Sequence, residues 1–175
     1  MAEDNEAPKH RAMTSIFTIG HSNQTLEQFL EKLAGANIAC VADVRSAPVS
    51  RYAPQFNRDT LSLALERAGF SYLYLGRELG GRPRDAALTA GGKPDYAKMA
   101  RAPAFLNGIE DLLRAGAERP TALMCAERDP AHCHRFHLIA RHLTARGVAV
   151  AHILGRSEEH TSELQSRGLI SYAVF

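Results

Sequence analysis

A chain of 175 residues, 45% of them hydrophobic, carries enough apolar side chains for one substantial core and has a length that favours a single domain. Net charge is only +2 with 23% charged residues, which excludes a disordered polyelectrolyte and a bulk electrostatic grip on nucleic acid. No apolar run approaches the roughly 20 residues of a membrane-spanning helix, Met1–Met13 lacks a signal peptide's apolar core, and three cysteines are too few for a disulfide framework, so a reducing cytosol is the expected compartment.

Met1–Ala12 is charged and shows no apolar period, so it is expected to be a disordered leader, with Met13 an alternative start codon. The first strand is predicted over Ser15–Ile19 and runs out at the loop signal Gly20-His21-Ser22-Asn23. Thr25 with Gln28 three residues on forms a capping box, and Leu26, Phe29, Leu30 and Leu33 follow at helical spacing. Ile38–Val44 reads as a second buried strand, with Cys40 in the core. Pro48 and Pro54 punctuate the next loop, and Thr60–Ala68 is a helix that Gly69 closes. Phe70–Leu75 gives a third strand. Gly76–Asp95, with five glycines, two prolines and three arginines, is predicted to be an irregular lid. Phe105, Ile109, Leu112 and Leu113 mark another helix, Thr121–Cys125 a fourth strand and Val148–Leu154 a fifth. Between these two strands Asp129 is the expected N-cap, Pro130 the first helical residue and Gly147 the stop of a helix with an apolar face of Phe136, Ile139, Ala140 and Leu143.

Arg156–Phe175 is expected not to be native. Arg156–Ser166 back-translates in frame into a commonly used short-read sequencing adapter, and Ile170–Phe175 matches its constant region beyond the sample index. The domain expected to fold is therefore 13–155, with 156–175 set aside as an expression scar would be.

Apolar strands alternating with amphipathic helices predict a single three-layer α/β domain. Its sheet should be mostly parallel, of about five strands, and Rossmann-like or flavodoxin-like. Ligands in such folds bind beyond the carboxyl ends of the strands. That edge receives His21 and Ser22 from the first strand, and Asp43, Arg45 and Ser46 from the second. It also receives Arg77 and Glu78 from the third and Cys125, Glu127 and Arg128 from the fourth, followed by Cys133, His134 and Arg135.

His21, Asp43, Cys125 and Glu127 are the candidates for catalysis; Ser22, Arg45, Cys133, His134 and Arg135 are the candidates for holding substrate. Asp43 and Arg45 lie on one side of an extended chain and equally suit a local ion pair. His134 and Arg135 flank a helix start that attracts anions, and Cys133 sits where the helix dipole favours a thiolate. Either cysteine also suits inert packing. His132, His137 and His142 read as surface residues.

Several of these residues fall into ordered motifs. Thr18-Ile-Gly-His-Ser22, Asp43-Val-Arg-Ser46 with Pro48 and Ser50, Pro54-Gln-Phe-Asn57, Leu79-Gly-Gly81, and Met124-Cys-Ala-Glu127 with Pro130 and Cys133-His-Arg135 resemble domain-of-unknown-function family 488, from about Ile16 to Ile153. The resemblance implies a compact cytosolic prokaryotic α/β protein and supports His21, Asp43, Arg45, Cys125, Glu127, Cys133, His134 and Arg135 as site residues. It implies no reaction.

The leading expectation is an enzyme, or enzyme-like domain, acting on a small anionic or nucleotide-like substrate at this edge. A nucleic-acid-associated or regulatory binding module is the non-catalytic alternative, and a thiol- or metal-dependent enzyme using Cys125 and Cys133 is the third. A thiol phosphatase loop fits poorly, because nine residues without glycine separate Cys125 from Arg135. Thiolates and imidazole suit zinc, but Cys125, Cys133 and His134 lack paired short spacings, so no metal ligands are expected. The residues name no cofactor. A membrane partner is not expected, a nucleic-acid partner stays open, and the oligomeric state is not legible.

Overall fold

The computed structural model describes residues 15–154 and 170–174. The leader and most of the 156–175 segment lie outside the described residues. Strand β1 (Ser15–Gly20) leads through α1 (Leu26–Gly35) to β2 (Cys40–Asp43), and α2 (Arg58–Arg67) leads on to β3 (Ser71–Tyr74). The capping box is present: Thr25 Oγ1 accepts from the Gln28 backbone at 3.2 Å, and Gln28 Oε1 accepts from the Thr25 backbone at 3.1 Å. A short hairpin, β4 (Thr89–Ala90) and β5 (Lys93–Pro94), precedes α3 (Tyr96–Met99) and the long α4 (Pro103–Glu118). Then come β6 (Thr121–Cys125), α5 (Arg141–Ala145), β7 (Ala149–Leu154) and β8 (Ile170–Val174).

The expected three-layer α/β domain is present, and its sheet is entirely parallel, in the order β3-β2-β6-β1-β7-β8. The five expected strands are β1, β2, β3, β6 and β7. Their order sets β6 between β2 and β1, which distinguishes the sheet from the 3-2-1-4-5 and 2-1-3-4-5 arrangements of doubly wound folds. β8 adds to the edge of β7, whose outer N–H and C=O groups accept an extended segment.

The helices divide by the direction in which the chain moves across the sheet. α1 and α2 step toward β3 and pack Phe29, Leu33, Leu61 and Leu65 against Val41, Ala122 and Met124. α4 and α5 step back and pack Phe105, Ile109, Leu112 and Leu143 against Ala42, Leu123 and Val150 on the other face. Right-handed crossovers running in opposite directions place their helices on opposite faces. β2 and β6 are therefore neighbours whose following segments leave to different sides, which opens a crevice at their carboxyl ends.

One expected helix is built differently. Asp129 caps only a short 3-10 turn, Pro130–His132, accepting from the Ala131 N–H at 2.8 Å. Cys133 is then extended (φ −127°, ψ 146°), and helical structure resumes as a π-helical stretch, Arg135–Ala140, that runs into α5. Cys133 is thus not in the first turn of a helix begun at Pro130. Gly147, at φ 77°, ends the helix as expected.

β7 buries a histidine beside Thr18 of β1: His152 Nδ1 lies 2.6 Å from Thr18 Oγ1 and the side chain is 0% exposed. Burial, helped by the nearby Arg135 charge, pushes the His152 imidazole down to about 3. An unfolded chain takes up that proton near pH 6.5. Between these values the unfolded state binds a proton that the folded state refuses, so stability falls as pH drops through the window. We expect His152→Gln to flatten the pH dependence of the urea midpoint between about pH 6.5 and 3 relative to the parent chain. An unchanged slope would assign the acid loss to other groups.

Candidate functional site

Register levels the strand ends. Gly20 stands opposite Cys125, and Asp43 opposite both Met124 and Tyr74. Pairing continues beyond the strands, with the His21 N–H donating to the Cys125 carbonyl and the Ser22 N–H to that of Ala126, each at 2.9 Å. Gly20 makes this approach possible. A Cβ there would lie 2.0 Å from the Glu127 carbonyl oxygen, so any side chain would push the Glu127 loop away.

Three of the expected residues, His21, Asp43 and Arg45, join one buried polar chain. Arg45 donates from Nε to Asp43 Oδ1 at 2.9 Å, and from Nη2 to Asp43 Oδ2 at 2.6 Å and to the Phe56 carbonyl at 2.8 Å. Its Nη1 donates to His21 Nε2 at 3.1 Å. His21 Nδ1 in turn donates to the Ser22 carbonyl at 2.8 Å, and the ring stacks on Phe56 with centroids 4.4 Å apart. Burial leads the causes that hold the His21 imidazole below its ordinary value, with the Arg45 charge acting the same way.

This is the local ion pair that Asp43 and Arg45 suited from their spacing. It ties the ends of β1 and β2 to the loop carbonyl of Phe56: four of five guanidinium N–H groups are committed, and both ring nitrogens of His21 are occupied. Asp43 and His21 are thereby held in a structural network, while Arg45 keeps one N–H uncommitted and borders the crevice. Ser22 also lies apart, at the left-handed φ of 47°, with its hydroxyl donating to Asn23.

Arg135 is likewise held by the protein's own groups. It is 1% exposed and donates from Nη1 to the Glu127 carbonyl at 2.5 Å and from Nη2 to the Arg128 carbonyl at 2.8 Å. Its guanidinium braces the loop from behind and does not line the crevice. The physical reason is that bare loop carbonyls in a buried corner need donors, and a planar fork satisfies two at once.

The remaining candidates do converge. Cys125 Sγ donates to Glu127 Oε2 at 2.8 Å and Cys133 Sγ to the same oxygen at 3.2 Å. Both sulfurs lie 3.7 Å from His134 Nδ1. The extended Cys133 causes this meeting by turning its side chain toward the end of β6. Gly81 lies against the His134 ring, where a Cβ would come within 2.6 Å of Cγ, so the Leu79-Gly-Gly81 segment closes over the imidazole.

The hydrogen bond with Cys125 is the largest influence on Cys133, and with His134 and Arg135 it holds that thiol well below its usual range against the opposing effect of burial. The same pairing, then burial, pushes the Cys125 thiol up. Partial burial would raise the Glu127 carboxyl, but hydrogen bonds led by that of Cys125 outweigh it and keep it below its ordinary value.

Cys125, Glu127, Cys133 and His134, with Arg45 and Tyr96, line a crevice of about 230 Å³ between β2 and β6. A larger cleft of about 500 Å³ adjoins it through Ser46 and Arg82, and Arg77, Arg84, Glu78 and Asp85 lie along its wall. Gly76–Asp95 supplies that wall. Ser46 Oγ ties it to β2 by accepting from the Arg82 N–H at 2.9 Å. The segment expected as an irregular lid therefore holds a 3-10 turn, Ala86–Leu88, and the β4–β5 hairpin.

A family model described as Domain of unknown function DUF488 matches residues 25–142, well over half of the chain. The chain belongs to the DUF488 family. No curated protein and no solved structure matches it. The matched DUF488 region begins after Thr18–Ser22, so the resemblance over 16–153 is shown for its central part. Within it, Asp43, Arg45 and Phe56 hold the floor of the site, while Cys125, Glu127, Cys133 and His134 line its wall. No described helix is long and apolar enough to cross a membrane.

Proposed function

We propose that this DUF488 chain is an enzyme acting on a small anionic substrate, held in the arginine-lined cleft and transformed at the Cys125–Glu127–Cys133–His134 wall. The observation that carries this reading is the opening of the polar crevice into a cleft bordered by Arg77, Arg82 and Arg84. Among the described residues, none of these three guanidiniums has a hydrogen-bonded or ion-paired partner. Glu78 and Asp85 share the wall, so the local excess is one positive charge, suited to a compact anion rather than a polyanion. Arg82 borders both cavities and would take the anionic group, leaving the rest of the substrate against Glu127. An acceptor-only carboxylate there, 2.8 Å from a thiol, suits proton transfer.

The test is calorimetric titration with inorganic phosphate, nucleoside monophosphates and small carboxylates. At least one should bind, and Arg82→Ala should weaken it by roughly 10- to 100-fold, the loss of one charge-assisted hydrogen bond. Arg82 is exposed, so its truncation should leave the melting temperature in place. Failure of every small anion, with salt-sensitive binding of an oligonucleotide instead, would replace the enzyme by a nucleic-acid-binding module.

A further inference from the structure

We propose that Cys125, Cys133 and His134 form a metal site of the soft, tetrahedral kind that zinc prefers, with one coordination position open to the crevice beside Glu127. Metal binding goes beyond the anionic-substrate reading and stands or falls separately from it.

Three observations carry the proposal. The ligand atoms Cys125 Sγ, Cys133 Sγ and His134 Nδ1 all lie within 4.8 Å of one another, and the residues are buried. Each sulfur is 3.7 Å from Nδ1. Tetrahedral zinc, with bonds of about 2.3 Å to sulfur and about 2.0–2.1 Å to nitrogen, would set sulfur and nitrogen roughly 3.5–3.6 Å apart. The donors thus already stand close to the edges of a coordination tetrahedron.

The second observation concerns the far side of the imidazole. His134 Nε2 lies 3.1 Å from the Val44 carbonyl, which can only accept, so Nε2 carries the hydrogen. In the neutral ring Nδ1 then has its lone pair bare, aimed at the two sulfurs. A carbonyl behind the ring is how ligating histidines are commonly oriented. Cys133 is supported similarly, since the Arg135 backbone N–H points at its sulfur from 3.4 Å.

The third is the number and placement of donors. Structural zinc sites close with four protein ligands, whereas catalytic sites keep three and leave one position for water or substrate. Here three soft or borderline donors face the crevice, and Glu127 Oε2 borders the remaining position at 2.8 and 3.2 Å from the sulfurs. Thiolate and imidazole donors select zinc over magnesium or calcium, which require oxygen cages. The same carboxylate can take a proton from a water on the metal.

The experiment uses the full chain, stripped with a chelator and titrated anaerobically with Co²⁺ as a spectroscopic stand-in for zinc. Expected are one ion per chain, thiolate-to-cobalt charge transfer in the near ultraviolet, intense tetrahedral bands in the visible, and displacement of both by Zn²⁺. Cys125→Ser, Cys133→Ser and His134→Gln should each lose the tetrahedral spectrum or weaken binding at least tenfold, with folding checked by circular dichroism. Cys40→Ala, which removes the remaining, distant cysteine, should leave the spectrum unchanged. The parent chain alone decides the matter if the variants misfold: cobalt uptake without a thiolate charge-transfer band, or no uptake, overturns the site. Survival of the bands in a folded Cys133→Ser chain overturns it too. None of these readouts uses a substrate, so the outcome is separate from anion binding.

Discussion

Asp43→Ala is expected to destabilise the domain by roughly 3–5 kcal/mol, the usual cost of removing one partner from a buried ion pair. Asp43 is 0% exposed and Arg45 6%. The carboxylate accepts from the Arg45 backbone N–H at 3.0 Å, from its Nε and Nη2, and from the Tyr72 hydroxyl at 2.8 Å. Burial, reinforced by the Asp43 charge, raises the Tyr72 phenol, so its hydroxyl remains a donor to the carboxylate. Alanine strands the guanidinium in a site without a counter-charge, and water cannot easily replace what is lost. At about 2–4 °C per kcal/mol for a chain of this size, the melting temperature should fall by roughly 10 °C.

A double-mutant cycle with Arg45→Met isolates the pair. The double variant should be markedly more stable than the two single losses added together, because the uncompensated charge leaves with its partner. A loss below about 1 kcal/mol in Asp43→Ala would mean that the carboxylate is not a keystone of the fold, and would return it to consideration as a catalytic group.

The elements were legible because each rests on a local pattern. The apolar runs that become β2 and β6 are buried at every position, and Thr25 with Gln28 makes the cap that its spacing predicts. Strand order was not legible, since nothing in Thr121–Cys125 says that it pairs with both β1 and β2. The helix start at Asp129–Pro130 misled for a related reason. The same N-cap and proline also begin a single 3-10 turn, and only tertiary contact with β6 holds the extended Cys133 that breaks it.

The site was legible as a region and much less so as a set of roles. Arg45 and Arg135 look like anion contacts when read as residues at a strand end and a helix start. In the fold, a carboxylate, a carbonyl and the His21 ring take four of Arg45's donors, and two loop carbonyls hold both terminal nitrogens of Arg135. The i, i+2 spacing of Asp43 and Arg45 was the one signal for that outcome. The grouping of Cys125, Cys133 and His134 escaped a rule that seeks paired short spacings, because its donors come from a strand end and from a turn past a separate 3-10 segment. Composition carried no trace of it.

In the metal-free chain, Cys133 should be the reactive thiol and Cys125 the inert one. The helix dipole expected from the sequence is not the leading cause. The largest influence on Cys133 is the hydrogen bond with Cys125, followed among the favourable ones by His134 and Arg135, while burial opposes ionisation. Cys125 is shifted the other way by the same pairing, so one proton is retained on the β6 sulfur while the other thiol ionises. The design of the test follows from that cause. Alkylating single-cysteine variants would remove the partner that creates the effect, so both cysteines must be present and told apart by peptide mapping. After chelation, iodoacetamide labelling from about pH 5 to 9 should mark Cys133 first, with a midpoint well below the roughly 8.5 of a free thiol. At pH 7 a free thiol is only a few per cent ionised, so the ionised fraction of Cys133 should exceed it by tenfold or more. Both residues are nearly buried, which slows labelling at every pH but leaves the midpoint unchanged. In Cys125→Ala the Cys133 midpoint should climb back toward that of a free thiol, whereas a dipole-driven shift would persist. Faster labelling of Cys125, or a Cys133 midpoint at or above 8.5 in the intact pair, would rule out the coupled-thiol account.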